Sequence, residues 1–313
     1  MNLFELNRNR LKWELLFLKF KITGKKISLN SYFGKPVLSA ERGNQRIKEL
    51  LQSDEAVAIC RIGYNELITT VECIRAELQG KNAISDRTIN LMCNNAGFFP
   101  PTSDKLIKFS HMMRDVLCDV DLLGVWNNKQ EDIVVKEYMA RSELCELRGL
   151  EPYYFDDAWS KALEGKKVLV IHPFSNSIVH QFKQREKVFP NNILPEFTLI
   201  TQRAIQTAAG ETDNRFSDWF EALEYMYNEA MKVDFDIVII GCGAYGLPLA
   251  VKLKRSGKKA IHMGGATQIL FGIKGKRWDN HPIISKLYNE SWIRPLNDER
   301  PQGSKTVENG CYW

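Results

Sequence analysis

The sequence lacks the short motifs of several large enzyme classes. H-E-x-x-H, C-x-x-C, G-x-x-x-x-G-K-[ST] and G-x-S-x-G are all absent from its 313 residues. These motifs supply a zinc site, a reactive or metal-binding thiol pair, a phosphate-binding loop and a nucleophilic serine, respectively. Metalloproteases, zinc-thiolate proteins, P-loop NTPases and α/β-hydrolases are therefore disfavoured.

Long apolar runs and regularly spaced cysteines are absent as well. No apolar run reaches the roughly 18 residues that a membrane-spanning helix needs, and the polar and charged residues after Met1 do not resemble a signal peptide. The seven cysteines are scattered and odd in number, which predicts reduced thiols in the cytoplasm. The net charge of +5 is mild, so nucleic acid is not an expected partner.

The N-terminal segment is basic and amphipathic. Leu11–Phe20 is LKWELLFLKF, which combines leucines and aromatic residues with lysines. We expect residues 8–26 to contact an anionic membrane surface, at its inner face. The alternative is that they pack on the domain or on a partner subunit of a homo-oligomer. We assign residues 1–40 to this helix and basic arm, and residues 41–313 to the main domain.

The rest of the chain alternates between predicted strands and helices. This order predicts an α/β fold with a Rossmann-like, mostly parallel sheet and helices on both faces. Residues 131–147 are predicted to form one helix. The predicted core strands are Glu55–Ile62, Val120–Trp126, Lys167–Ile171, Phe197–Ile200, Phe235–Ile240 and Lys259–Met263.

The fifth of these strands leads into a glycine turn, GCGAYG at residues 241–246, and then into a helix. Gly241, Gly243 and Gly246 match G-x-G-x-x-G, in which glycine allows close backbone approach and the helix N-terminus offers N–H groups to an anion. A dinucleotide site expects a carboxylate about 20 residues further on, but residues 261–264 are IHMG. The turn therefore fits a phosphate-bearing ligand better than NAD, with a tight turn that binds nothing as the alternative.

The last strand ends in a second glycine turn. Gly264, Gly265 and Gln268 come directly after it, and Lys274 and Arg277 follow. Glycines, an amide and cations beside aromatic residues are typical of a site that binds a phosphate or diphosphate. Both glycine turns follow the carboxyl ends of strands, where open α/β sheets bind ligands.

The first predicted core strand also ends in polar residues. Arg61, Gly63 and Glu66 lie in RIGYNE, directly before a predicted helix. An arginine at this point can pair with a phosphate, and the helix dipole favours a negative charge in the first turn. The alternatives are an internal ion pair for Arg61 and a helix cap for Glu66.

The third strand ends in HPFSNS, at residues 172–177. Ser175 and Asn176 are typical N-cap residues, and their side chains and the adjacent N–H groups can bind a phosphate. His172 is a candidate base or ligand contact, although a single histidine at this position also fits a structural role.

Two stretches resemble a known family. RIGYNE at residues 61–66 is similar to the R-x-G-x-x-E signature of bacterial glycosyltransferases with the GT-D fold. The run from GCGAYG to GIKGKRW, at residues 241–278, looks like the C-terminal half of GT-D-like proteins found with polysaccharide genes. The resemblance covers about residues 45–313. It implies a Rossmann-like sheet, a nucleotide-sugar donor and transfer to a saccharide or glycolipid acceptor, usually with inversion.

The resemblance also bears on metal use. In better-known members the signature is R-x-G-D-G-E, and its Asp and Glu form a D-x-E metal site. Tyr64 stands at the Asp position here, so only Glu66 of the pair remains. Because a hard divalent cation binds an oxygen cage that usually includes carboxylates, we expect no required metal or other cofactor. Cations are expected to neutralise the leaving diphosphate instead: Arg61, Arg185, Lys274, Lys276 and Arg277.

The leading hypothesis is an inverting, metal-independent glycosyltransferase of surface polysaccharide or glycoconjugate synthesis, with a UDP-sugar as the expected donor. Glu66 is the expected catalytic base and His172 the second candidate. The residues expected to bind the nucleotide-sugar are Arg61, Gly63, Ser175, Asn176, Arg185, Gly241, Gly243, Tyr245, Gly246, Gly264, Gly265, Gln268, Lys274 and Arg277.

Two other functions stay open. The G-x-G-x-x-G match supports an NAD(P)-dependent oxidoreductase, since NADP would tolerate the missing carboxylate. The departure at Tyr64 supports a non-catalytic protein that binds a nucleotide-sugar.

Overall fold

The computed structural model describes residues 1–208, 211, 213–301, 303 and 310–313. Within them, strands and helices alternate along most of the chain. The strands are β1 Ser31–Tyr32, β2 Lys35–Leu38, β3 Ala58–Cys60, β4 Leu122–Val125, β5 Glu143–Glu146, β6 Lys167–His172, β7 Thr198–Arg203, β8 Ile237–Ile240 and β9 Lys259–His262. The helices are α1 Leu3–Thr23, α2 Ala40–Gln52, α3 Tyr64–Leu78, α4 Asp86–Ala96, α5 Ser103–Leu117, α6 Glu131–Tyr138, α7 Ser175–Phe182, α8 Arg185–Val188, α9 Trp219–Met231, α10 Gly246–Arg255 and α11 Ala266–Leu270.

The strands form a nine-stranded sheet in the order β1-β2-β5-β4-β3-β9-β8-β6-β7. Every neighbouring pair is parallel except β1 and β2, which are antiparallel. The prediction of a mostly parallel sheet is confirmed. Residues 31–38 contribute β1 and β2, so part of the segment that we assigned to the N-terminal arm belongs to the sheet.

Helices cover both faces of the sheet. Successive side chains of a strand point to opposite faces, so an apolar strand has to be buried on both sides. In β3, Ala58 and Cys60 pack into one layer and Ile59 into the other. The first layer contains α1, α3, α4, α5, α6, α9 and α10. The second contains α2, α7, α8, α11 and the C-terminal aromatic residues. A strand that is buried on both faces has a nearly continuous apolar sequence. The core strands were recognisable in the sequence for this reason.

The prediction of one helix over residues 131–147 is wrong. The helix α6 ends at Tyr138, and β5 follows it and pairs with both β4 and β2. Leu144 and Cys145 are buried between the exposed Glu143 and Glu146. Two adjacent apolar residues fit a helical turn as well as a short strand, so periodicity alone does not separate the two structures.

The strand order places four carboxyl ends side by side. The strands β4 and β5 follow β3 on one side, whereas β6 to β9 lie on its other side, with β9 directly beside β3. The ends of β3, β9, β8 and β6 therefore meet along one edge of the sheet. The side on which successive strands are added to the sheet therefore changes at β3. Open α/β sheets bind ligands at such a switch point. Within the described residues, no helix is both long enough and apolar enough to cross a bilayer.

Candidate functional site

Arg61 follows β3 and lies at the centre of this edge. Its guanidinium carbon is 3.8 Å from the centre of the Trp126 ring, which follows β4. On the other side it packs on Gly264, where a Cβ atom would lie only 3.0 Å from the Arg61 Nη1 atom. The Arg61 Nε atom is buried and has no hydrogen-bond partner in the part of the chain that the structure describes. The side chain is thus fixed by stacking and packing while one donor is left unsatisfied, which is uncommon for a buried polar group.

The charges around Arg61 are mixed. Burial lowers the pKa of Arg61, and Tyr312, Glu66 and Glu151 oppose that shift. Arg277 adds a second cation nearby, with its guanidinium carbon 4.8 Å from the centre of the Tyr312 ring. A cationic pair that is partly removed from water attracts an anion more strongly than a solvated pair does.

Glu66 lies in the first turn of α3, as the sequence predicted, and its carboxylate folds back over the turn. A Cβ atom at Gly63, the N-cap of α3, would lie 2.1 Å from the Glu66 Oε2 atom. Glycine at that position therefore makes room for the carboxylate. The carboxylate lies in the first turn of α3, where the helix dipole is positive, and close to Arg61.

The residues present do not fit a D-x-E metal site. Tyr64, at the position of the missing carboxylate, is 50% exposed and lines a separate cavity with Arg10 and Arg75. Within the described residues, no group of three or more His, Cys, Asp or Glu side chains is arranged to hold a metal ion. A single carboxylate beside arginines is a poor donor set for a hard divalent cation.

The glycines of the 241–246 turn are explained by close packing. A Cβ atom at Gly241 would lie 2.5 Å from the His172 Cδ2 atom, and one at Gly246 would lie 2.1 Å from the His262 ring. Gly243 has a φ of +58°, which favours glycine. The turn therefore brings β6, β8 and β9 into close contact, whether or not a ligand is bound.

His172 is buried at the end of β6. Its Nδ1 atom accepts a hydrogen bond of 2.9 Å from the Phe174 N–H group, and burial lowers the pKa of His172 to about 3. The neutral ring therefore carries its proton on Nε2, so the ring offers a hydrogen-bond donor rather than a proton acceptor.

The N-terminus of α7 is occupied by the chain itself. The Glu299 carboxylate accepts hydrogen bonds from the Asn176 N–H group (2.6 Å), from the Ser177 N–H group (3.2 Å) and from the Ser177 hydroxyl. Glu299 is 1% exposed. The N–H groups that we expected to meet a phosphate beside Ser175 and Asn176 are thus paired with an internal anion.

A cavity of about 110 Å³ lies between the ends of β6, β8 and β9. Its walls include His172, the glycine turns, Tyr245 and Gln268, and Tyr312 and Trp313 close one side. The Gln268 Oε1 and Trp313 Nε1 atoms have no hydrogen-bond partner among the described residues. An open, polar groove of about 620 Å³ adjoins this cavity at Ile205 and Gln206.

Two of the predicted binding residues are not at this edge. Arg185 pairs with Glu196 at 3.1 Å, and the Glu196 carbonyl accepts a hydrogen bond from the Gly165 N–H group just before β6 begins. Arg185 therefore lies at the amino edge of the sheet, opposite the edge that carries this site. Lys274 lies over the ring of Tyr288, 5.4 Å from its centre, and does not line the cavity described above.

Sequence reasoning missed several residues that belong to the edge. Trp126 directly follows a recognisable strand, so its place at a strand end was a usable signal. Glu151 is close to Arg61, and burial raises its pKa to about 7, but it follows no predicted strand. Glu299 and Trp313 reach the edge from the C-terminal segment, and no local pattern indicated where they would pack.

Comparison with known proteins gives a distant likeness only. No protein-family model matches the chain, and no curated protein matches it either. One similar solved structure is described as "Selenomethionine substituted structure of domain of unknown function 1792 (DUF1792)", at 12% identity and a TM-score of 0.36. A second is described as "The highly conserved domain of unknown function 1792 has a distinct glycosyltransferase fold", at 11% identity and a TM-score of 0.37. Each match covers 83% of this chain and 96% of the other. A likeness this distant supports no argument about function.

Proposed function

We propose that the protein is a metal-independent, inverting glycosyltransferase that uses a nucleoside diphosphate sugar, with a UDP-sugar as the expected donor and a saccharide or glycolipid as the acceptor. The observation that supports this most directly is the Arg61 side chain with its buried, unsatisfied Nε donor. A diphosphate group would satisfy that donor and use the charge of Arg277 beside it. The resemblance of RIGYNE to the R-x-G-x-x-E signature is consistent with this assignment.

In the proposed reaction, an acceptor hydroxyl attacks the anomeric carbon of the donor sugar. The bond between that carbon and the diphosphate oxygen breaks, and the diphosphate leaves with the electron pair. Glu66 takes the proton of the attacking hydroxyl, because its carboxylate lies at the edge beside Arg61. Arg61 and Arg277 stabilise the negative charge that develops on the leaving group.

The remaining edge residues bind the donor in this proposal. His172 donates a hydrogen bond through Nε2 and does not act as the base, because its Nδ1 atom is already engaged. Gly264 and Gly265 let the Arg61 and Tyr312 side chains pack on the backbone beside the cavity. Gln268 offers its unpartnered Oε1 atom to a sugar hydroxyl.

Thermal unfolding in the presence of nucleotides tests the binding step. UDP, GDP and CDP are compared in EDTA, because a ligand at 100 times its Kd stabilises the folded state by about 2.7 kcal/mol. We expect one diphosphate to raise the melting temperature, and Arg61→Ala to weaken its binding by about ten-fold or more, since a hydrogen bond to a charged group contributes about 1.5–3 kcal/mol. Arg185→Ala is the control, because Arg185 is another partly buried arginine but is paired with Glu196 at the other end of the sheet. Equal losses in both variants would contradict the assignment.

Turnover tests the catalytic step. Release of the nucleoside diphosphate from the donor sugar is measured with the acceptor or with water. Glu66→Gln keeps the shape of the side chain but removes its ability to take a proton, so we expect it to bind the donor and to lose turnover. If turnover survives in this variant, Glu66 is not the base.

A protein that binds a nucleotide-sugar without turnover is the second candidate. The departure at Tyr64 favours it, because one carboxylate of the D-x-E pair is missing. The cavity of about 110 Å³ is smaller than the roughly 300 Å³ at the lower end of ordinary ligand pockets. In either candidate the nucleotide-sugar therefore has to use the adjoining groove or to displace the aromatic pair Tyr312 and Trp313. Nucleotide binding without product from any acceptor would select this candidate.

A further inference from the structure

The helix α1 buries side chains against the rest of the protein only in its first half. Leu6, Asn9 and Trp13 are its buried residues. The Asp132 carboxylate, at the start of α6, accepts hydrogen bonds from Asn9 at 3.0 Å, from Trp13 Nε1 at 2.6 Å and from Lys12 at 2.7 Å. This set of contacts fixes the direction of the helix and leaves its other face outward.

The outward face carries an apolar stripe that is continuous from Leu11 to Ile22 and is interrupted by Arg8 between Phe4 and Leu11. Its residues are separated by 7, 4, 3 and 4 positions, which places them on one side of a helix. More than half of each side chain is exposed: Phe4 74%, Leu11 58%, Leu15 61%, Leu18 54% and Ile22 76%. Scattered exposed leucines are ordinary, but a contiguous exposed stripe indicates an interaction surface.

The second half of α1 is exposed around most of its circumference. All residues from 14 to 26 are exposed except Leu16, which is partly buried. Phe17 and Phe20, on the side opposite the stripe, are 37% and 38% exposed. The second half of α1 therefore leaves its apolar side chains uncovered, and a basic arm follows it.

The charge of this segment is positive. The two carboxylates of α1 are already paired, Glu5 with Lys136 and Glu14 with Arg10 and Lys129. None of the ion pairs within the described residues involves Lys19, Lys21 or Lys25. Cations beside an apolar stripe, on a helix that is not long and apolar enough to span a bilayer, are typical of a helix that lies in a membrane interface.

We propose that α1 and the basic arm at residues 24–26 dock the protein onto an anionic membrane surface. The apolar stripe enters the boundary between headgroups and acyl chains, and the lysines contact the anionic headgroups. A second copy of the chain fits the stripe less well. Arg8 occupies the same seam between Phe4 and Leu11, so a parallel helix pair would place it against the Arg8 of the copy, and like charges oppose each other there. This inference does not depend on the proposed enzymatic activity.

Sedimentation of the full chain with lipid vesicles tests the proposal. We expect binding to vesicles of phosphatidylcholine mixed with phosphatidylglycerol to be about ten-fold tighter than to phosphatidylcholine alone, because each lysine near an anionic surface adds to the attraction. We expect Leu15→Gln combined with Leu18→Gln to weaken binding by about ten-fold, since buried apolar area contributes the rest. Both leucines are exposed, so an unchanged melting temperature should accompany the loss.

Matched substitutions elsewhere provide the control. Leu78 and Leu296 are 39% and 38% exposed, and neither is in α1. Leu78→Gln combined with Leu296→Gln should leave vesicle binding unchanged. Failure of the unaltered protein to bind the mixed vesicles would overturn the proposal. A dimer in sedimentation equilibrium that the Leu15 and Leu18 substitutions dissociate would also overturn it and would assign the stripe to a second copy.

Discussion

The two sides of the carboxyl edge differ in whether their polar groups have hydrogen-bond partners. On the β6 side, the N-terminal N–H groups of α7 are paired with the Glu299 carboxylate, which comes from more than 120 residues further along the chain. On the β3 side, the Arg61 guanidinium rests on Trp126, and its Nε atom has no partner within the described residues. One side has satisfied its polar groups internally, whereas the other holds a polar group in place without satisfying it.

This difference separates a structural role from a binding role. A buried polar group that is fully hydrogen-bonded stabilises the fold, and removing its partner exposes the full cost of desolvation. A buried hydrogen-bond donor that is held in place without a partner contributes little to the stability of the fold. It is available to bind a ligand. The comparison therefore predicts that substitutions on the β6 side affect mainly stability and those on the β3 side mainly ligand binding.

The largest stability effect is expected at Glu299. Glu299→Ala should lower the free energy of unfolding by about 3 kcal/mol or more, because three donors at α7 lose their partner in a buried site. Urea unfolding measures this. Asp298→Ala is the control: Asp298 is exposed and accepts one bond from the Asn176 side chain, so its loss should cost less than about 1 kcal/mol. Similar losses in the two variants would show that α7 does not depend on the internal carboxylate.

Substitutions of Gly246 and Gly63 test the same comparison, and we expect them to change the free energy of unfolding by an intermediate amount. Gly246 has helical backbone angles that alanine adopts freely, so Gly246→Ala is destabilising only through its contact with the buried His262 ring. We expect a loss of about 1–3 kcal/mol. Gly63→Ala meets only the flexible carboxylate of Glu66 and should cost less than about 1 kcal/mol, but it should reduce turnover because Glu66 has to move. Equal stability losses would remove the distinction between the two turns.

The pH dependence of stability tests whether Arg61 is truly unpaired. Burial raises the pKa of Glu151 from its ordinary value to about 7, although Arg61 acts in the opposite direction. Between about pH 4.5 and pH 7 the folded state then retains a proton that the unfolded state releases, so the contribution of this group to stability falls as pH rises through that window. Glu151→Gln should therefore gain on the order of 2 kcal/mol relative to the unaltered protein from pH 4 to pH 8. A difference that moves in the other direction would show that Glu151 is an ionised partner of Arg61.

Much of the fold could be predicted from the sequence, because the parallel strands are buried on both faces and form unbroken apolar runs. The turns at Arg61, Gly241 and Gly264 were recognisable because each follows such a run. The short strand β5 was not, since four residues with two apolar positions carry too little periodicity.

The site could be predicted only in part. Strand ends of a parallel sheet are brought together by the topology, so the positions of Arg61, His172 and Gly264 could be expected to converge. Glu299 could not be placed, because contacts across more than 100 residues leave no local pattern. Arg185 was placed at this edge although the sequence pattern indicates the opposite edge. A helix that begins at the carboxyl end of one parallel strand returns the chain towards the amino end of the next, so a residue just beyond α7 lies at the amino edge.

The smallest stability effect is expected at Arg61 itself. Arg61→Met keeps an unbranched apolar stem over Trp126 and removes a buried donor that lacks a partner. Because a buried donor without a partner costs about 1–3 kcal/mol, its removal offsets the lost stacking on Trp126, and we expect the free energy of unfolding to change by less than about 1 kcal/mol. The stabilisation by a nucleoside diphosphate should nevertheless be lost. Urea unfolding with and without the nucleotide measures both quantities in one experiment. A loss of about 3 kcal/mol without ligand, similar to that expected for Glu299→Ala, would make Arg61 a structural residue and remove the main support for a diphosphate site.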